Sequence, residues 1–190
     1  MKNGLRYEYK SFRSKSNHPF DDTLEQADRT VILLQIREHG WLHIRAERLV
    51  TPPSISYFIF TYCETVCPTM TANMAELQKR LKAAGVEAEL ISFSVDPERD
   101  DPATLKSYLE KFDADFTNWS ALTGYEFEEI KTFVLKSFKS PIAKDNASDQ
   151  VIHGTSFYLV DQTGTAVAKY DGMDNTPYEK IIKDIKALQR

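Results

Sequence analysis

Residues 55–68 read ISYFIFTYCETVCP, and the fold follows from how this stretch is parsed. Its first eight residues, 55–62, are a continuous β-branched and aromatic run, the pattern of a strand buried on both faces. After Cys67-Pro68, the apolar residues Met70, Met74, Leu77 and Leu81 recur at helical spacing, and Gly85 supplies a stop. The segment is therefore strand, turn, helix, with both cysteines of the chain on the turn.

Working outward, the same rhythm continues. VEAELISFSV (86–95) reads as a second strand, and Asp101-Pro102 is an N-cap with proline at the first helical position ahead of ATLKSYLEKF. This βαβα order predicts a parallel sheet with right-handed crossovers. Another helix is expected through YEFEEIKTFVLKSF (125–138), then a polar loop at 139–150 broken by Pro141. SFYLVD (156–161) and TAVAKYD (165–171) flank Gln162-Thr163-Gly164 and read as a hairpin. Thr176-Pro177 is expected to cap a last helix, with Ile181, Ile182, Ile185 and Leu188 on its buried face. A parallel βαβ half followed by a ββα half is the thioredoxin arrangement, so the fold class is α/β: a central mixed sheet flanked by helices. Residues 55–190 form that domain.

Residues 1–54 read differently. Val31 to Ile36 has strand character, but EHGWLHIRAERLVTPPS keeps neither a period of two nor one of 3.6, and Pro52-Pro53 breaks what precedes it. The segment reads as irregular, its His18, His39 and His43 as surface residues, and the cut before Ser54 as one that leaves a folded core.

Composition limits the function classes. With 190 residues, 42% of them hydrophobic and 12% aromatic, the chain can close a core without disulfide staples. Lys+Arg 24 against Asp+Glu 28 gives a net charge of -4, no footprint for gripping phosphate backbones, so nucleic acid is not an expected partner. No apolar run is long enough to span a bilayer, and the charged start MKNGLRYEYKSFRSK lacks the apolar region of a secretory signal.

The chemistry lies in Cys63 and Cys67. A helix start offers unpaired amides and the positive end of the dipole, so both thiols are expected to have lowered pKa values and raised reactivity. Four residues of helix rise only about 6 Å, so the two sulfurs share a face. They can close a disulfide or pinch one soft metal ion, and the spacing suits redox and copper chemistry alike. A structural zinc site would be one ligand short. His153 sits just before the hairpin strand, in the loop that a thioredoxin-like fold lays against the redox turn, where it can serve as a third ligand. Imidazole with two thiolates suits Cu(I) and Cu(II). Thr155 stands where thioredoxin-like oxidoreductases usually carry a cis-proline, which weighs against a general thiol oxidoreductase. Met70 belongs to the apolar stripe and reads as core.

With these residues assembled, the chain resembles the Sco/SenC family of copper-binding, thioredoxin-fold proteins, particularly its Gram-positive bacterial members. FIFTYCETVCPTM carries the CxxxCP motif, ISFSVDPERDDPATLKSY the SVDPxxD segment, NWSALTG the tryptophan-to-LTG stretch, and VIHGTSFYLVDQTG the histidine. The resemblance covers residues 55 to about 188. It implies that Cys63, Cys67 and His153 are copper ligands and that the protein assists assembly of the dinuclear copper centre of cytochrome c oxidase. The mode is delivery as a metallochaperone, thiol reduction with Cys63 and Cys67 as the redox-active pair, or redox and copper sensing. It also implies the copper-bearing oxidase subunit and a second copper chaperone as partners, and a place on the extracytoplasmic face of the cell membrane through an anchor not visible in this chain. Asp96 and Asp100 match the family's acidic segment and are expected to cap and turn rather than to ligate. Ile152 stands where many members place an aspartate before the histidine.

Overall fold

The computed structural model describes residues 37–38, 52–145 and 147–189. Its main sheet places, in order, β1 (Arg37–Glu38), β4 (Trp119–Thr123), β3 (Glu89–Ser94), β2 (Ser54–Ile59), β7 (Ser156–Val160) and β8 (Ala166–Asp171). The central strand is β2 (Ser54–Ile59), all six residues of which are buried. It pairs parallel with β3 (Glu89–Ser94) and antiparallel with β7 (Ser156–Val160). β3 pairs parallel with β4 (Trp119–Thr123), and β8 (Ala166–Asp171) closes the hairpin with β7. The fold is a thioredoxin-like mixed sheet flanked by helices, as expected.

Alternation along β2 builds a core on each side. Tyr57 faces α1 (Val66–Ala83), where its hydroxyl donates to Thr71 at 3.3 Å, and Thr71 in turn meets Tyr108 of α2 (Pro102–Glu110) at 3.2 Å. Phe58 points the other way, edge-on to Phe138 of α3 (Phe127–Phe138) and close to Tyr158. All five of these aromatic side chains are buried, and each of the phenylalanines contributes about 1.5–3 kcal/mol by burial. α4 (Tyr178–Leu188) lies beside α1, with the Tyr178 hydroxyl donating to Asn73.

Several boundaries differ from the sequence reading, each for a local reason. β2 stops at Ile59, not at 62, because the chain turns there: Cys63 N–H donates to Phe60 O, and Thr61 is drawn aside by Asp100. β3 is shorter than 86–95. The Asp101 cap is present, accepting from Thr104 N–H at 2.7 Å. The Thr176 cap is not: Pro177 is the N-cap residue of α4 with no side-chain bond, and Tyr178 N–H donates instead to the Thr176 carbonyl. Residues 119–123 form β4, a strand the reading passed over. The polar loop at 139–150 contains one arm of a small hairpin, β5 (Ala143–Lys144) paired with β6 (Val151–Ile152).

From the N-terminal segment, β1 (Arg37–Glu38) pairs antiparallel with β4, Arg37 opposite Thr123. The expected strand at Val31 to Ile36 and the three histidines His18, His39 and His43 lie outside the described residues. Among the described residues, no helix is long and apolar enough to cross a membrane.

Candidate metal centre

Strand β2 delivers the chain to the C-terminal edge of the parallel strands, and the turn at 60–65 places Cys63 just ahead of α1. Thr65 makes no side-chain cap bond and the first turn of α1 holds no acidic residue. The vacancy at the helix start is filled by sulfur: Cys67 N–H donates to Cys63 Sγ at 3.3 Å. Cys67 is itself in the first turn, followed by Pro68, whose missing N–H costs nothing at that position. The spacing of four is therefore what lets one cysteine cap the helix while the other rides on it.

The two thiols do not share the expected fate. Cys63 is lowered well below the ordinary thiol range, first by the hydrogen bond from the Cys67 thiol, then by His153 and the backbone amides of Cys67 and Thr65, against the opposing effect of burial. Cys67 is pushed up, first by the same bond to Cys63 and then by burial. The reading that both pKa values fall is corrected: one negative charge is stabilised by the helix start, and a second beside it is resisted. Both sulfurs are free thiols and buried, Cys67 completely.

His153 enters from the far end of the chain, between β6 and β7. Its Nε2 lies 3.3 Å from Cys67 Sγ, across 86 residues of sequence. Its Nδ1 is 2.9 Å from the Gly154 carbonyl, which can only accept, so Nδ1 donates there and Nε2 is the nitrogen that faces the thiols. The ring stands edge-on to Phe60 at 5.8 Å. An acidic orienter before the histidine is thus replaced by the residue after it. Ile152 is 63% exposed and offers no polar atom to orient the ring. Gly154 packs tightly here, since a Cβ on it would meet Ser140 Oγ at 2.7 Å.

Cys63, Cys67 and His153 place their ligand atoms within 4.8 Å of one another, close enough for one metal ion. A cleft of about 410 Å³ opens beside Cys63 and His153, lined also by Phe60, Glu64, Val66 and Ile152 among others. Two sulfurs and one nitrogen form a soft, three-coordinate set that suits copper and leaves an open side for exchange. Met70 is fully buried in the core and outside this group.

Asp96 and Asp100 stay off the metal cluster, as expected, but Asp100 does more than shape a turn. Fully buried, it accepts from Thr61 N–H at 3.2 Å, Thr61 Oγ1 at 2.6 Å and Ser94 Oγ at 2.6 Å, anchoring the loop two residues before Cys63. Burial, its largest influence, raises its pKa. Asp96 is paired with Arg99. Sequence reasoning missed the tie from Asp100 to Thr61, 39 residues apart, because side-chain bonds between loops leave no periodic trace.

A model of the SCO1/SenC family matches residues 38–190, extending upstream of the resemblance first seen at 55. The SCO1 protein homolog of Bacillus subtilis is 52% identical over 130 residues, 68% of this chain and 67% of that protein. Other curated relatives are longer, the chain spanning 61% of a SCO2-like protein of Rickettsia felis. Among solved structures, a SCO1/SenC family lipoprotein from Bacillus anthracis superposes with a TM-score of 0.79 at 45% identity, covering 83% of this chain and 93% of that one. BsSco, a Sco-family cytochrome c oxidase assembly protein with an identified disulfide switch, gives 0.75 at 45% identity over 82% and 90%. Yeast Sco1 with copper bound gives 0.65 at 28% identity over 80% and 86%. With the matched span, the shared fold and the CxxxCP turn facing a histidine all in agreement, the chain belongs to the SCO1/SenC family.

Proposed function

We propose that this protein is a copper-binding assembly factor for cytochrome c oxidase, holding copper through Cys63, Cys67 and His153 and delivering it to the oxidase subunit that bears the dinuclear copper centre. The observation that carries this reading is the His153 ring, fixed by Gly154 with Nε2 at 3.3 Å from Cys67 Sγ. Thiol exchange needs only an attacking and a resolving sulfur, so a pinned imidazole is explained by metal holding. Yeast Sco1 binds copper, and BsSco belongs to a family of oxidase assembly proteins, which supports the same assignment here. Loading from another copper chaperone and a place on the extracytoplasmic face of the membrane complete the proposal. The lipoprotein nature of the Bacillus anthracis relative supports that location.

The unequal thiols favour a second reading, reduction of the oxidase's copper-ligand cysteines. The Cys63 thiolate attacks a partner disulfide and one partner sulfur leaves as thiolate. Cys67 then gives its proton to that departing thiolate and attacks the Cys63 sulfur of the mixed disulfide, releasing the second partner thiolate. Two electrons pass to the partner, and a Cys63–Cys67 disulfide remains.

One substitution separates the two. In the reduced protein, His153→Ala is expected to lower Cu(II) affinity by at least about tenfold and to weaken the thiolate charge-transfer absorption. The rate at which the same variant reduces a model disulfide peptide should be unchanged. Unaltered copper binding with slowed disulfide reduction would reverse the assignment. The fully oxidised protein should take up no copper, since the same sulfur lone pairs are spent.

A further inference from the structure

The hairpin that carries His153 has little holding it. β5 and β6 contribute two residues each, and Ala143, Lys144 and Ile152 are exposed, leaving Val151 as the buried contact. A two-stranded ribbon of this kind is marginal in water on its own. Yet to share a metal ion with the thiols, the imidazole at its end has to be held to within about 0.5 Å.

The loop between β3 and α2 grips the hairpin twice. Glu98 pairs with Lys144 at 2.8 Å. Arg99, beside it, does more: its guanidinium donates to the Asp149 carbonyl and lies 4.0 Å from the Asp149 carboxylate. The same guanidinium sits 4.9 Å over the ring of Tyr62, the residue before Cys63, and pairs with the buried Asp96. Gln150 closes the circuit, donating to the Tyr62 carbonyl at 3.3 Å. A planar, five-donor group can serve a carboxylate, a carbonyl and an aromatic face together, which an ammonium cannot.

We propose that Arg99 is a positioning residue for the metal centre, fastening the loop of Cys63 to the hairpin of His153 and so setting the gap between thiols and imidazole. The inference rests on the copper reading for its consequence but not for its geometry. Arg99 touches none of the three ligands and acts through Tyr62 and Asp149.

The test uses Arg99→Lys, which keeps a charge beside Asp96 but loses the fork and the stacking, and Tyr62→Leu, which removes the ring and leaves Asp96 paired. Arg80→Gln is the control, because Arg80 makes a comparable stack on Tyr178 at 4.5 Å and a pair with Glu76, away from the site. In the metal-free protein, amide hydrogen exchange across residues 147–153 should rise by about tenfold in Arg99→Lys and in Tyr62→Leu, with no change there in the control. Cu(II) should dissociate faster from both variants, and the double variant should show less than the product of the single effects. In a His153→Ala background, Arg99→Lys should produce no further loss of affinity. Unchanged hairpin exchange overturns the proposal, as does faster exchange with an unaltered Cu(II) dissociation rate. If the wild-type protein bound no copper, the copper reading would fall, and hairpin exchange alone would uphold or overturn the role of Arg99.

Discussion

Cys63 and Cys67 are identical residues four apart, and their separate behaviour comes from which of them accepts the helix amide. The spacing announces a reactive pair and cannot say which sulfur gains, because that depends on the turn closed by Phe60 and on the 3.3 Å bond from Cys67 N–H. His153 was readable only once the fold was read, from its place ahead of a hairpin strand. Asp100 and Arg99 were legible as residues of a motif but not as anchors, since their partners Thr61, Tyr62 and Asp149 lie 39, 37 and 50 residues away. The asymmetry makes a direct expectation. Iodoacetamide on the reduced, metal-free protein should label Cys63 first, and its rate should hold steady from about pH 8 down to about pH 5, below the ordinary thiol range. Cys67→Ala removes the thiol donor, so labelling at Cys63 should then slow as the pH falls; peptide mapping by mass spectrometry measures both.

At the scale of elements, helices were the more legible part. The Asp101-Pro102 start and the apolar spacing of α1 and α4 carry the 3.6 period openly. β4 was missed because five residues with three apolar neighbours offer no alternation to count, and β5 and β6 because two-residue strands are set by tertiary pairing. Close packing between elements is equally silent in sequence. Gly172 is an example: a Cβ there would lie 2.7 Å from the Thr155 carbonyl oxygen and 3.0 Å from the Phe157 ring. Backbone cannot step aside cheaply, whereas the Ser140 hydroxyl facing Gly154 can rotate. Gly172→Ala is therefore expected to cost about 1–3 kcal/mol, and Gly154→Ala less. Thermal melts of the metal-free proteins should rank them in that order, and equal melting temperatures would remove the packing argument.

For the whole molecule, the sheet's mixed topology was legible and its outer edge was not. β1 lies against β4, on the side of the sheet remote from β7 and the hairpin of His153. We propose that the segment before Pro52 is dispensable for metal binding, whereas its Arg37–Glu38 strand covers that edge. A chain beginning at Pro52 should bind copper with unchanged stoichiometry and self-associate at high concentration, because the backbone of β4 at Leu122 and Thr123 loses its partner. Light scattering and copper titration test this together; loss of the metal site on truncation would show that the head supports it. The long reach from Cys67 to His153 ties the site to folding. The three side chains can converge only once β7 docks against β2, since the imidazole is 86 residues downstream of the second thiol. A chain still unfolded has thiols and histidine but no site, so on the copper reading the full ligand set would itself report that folding is complete.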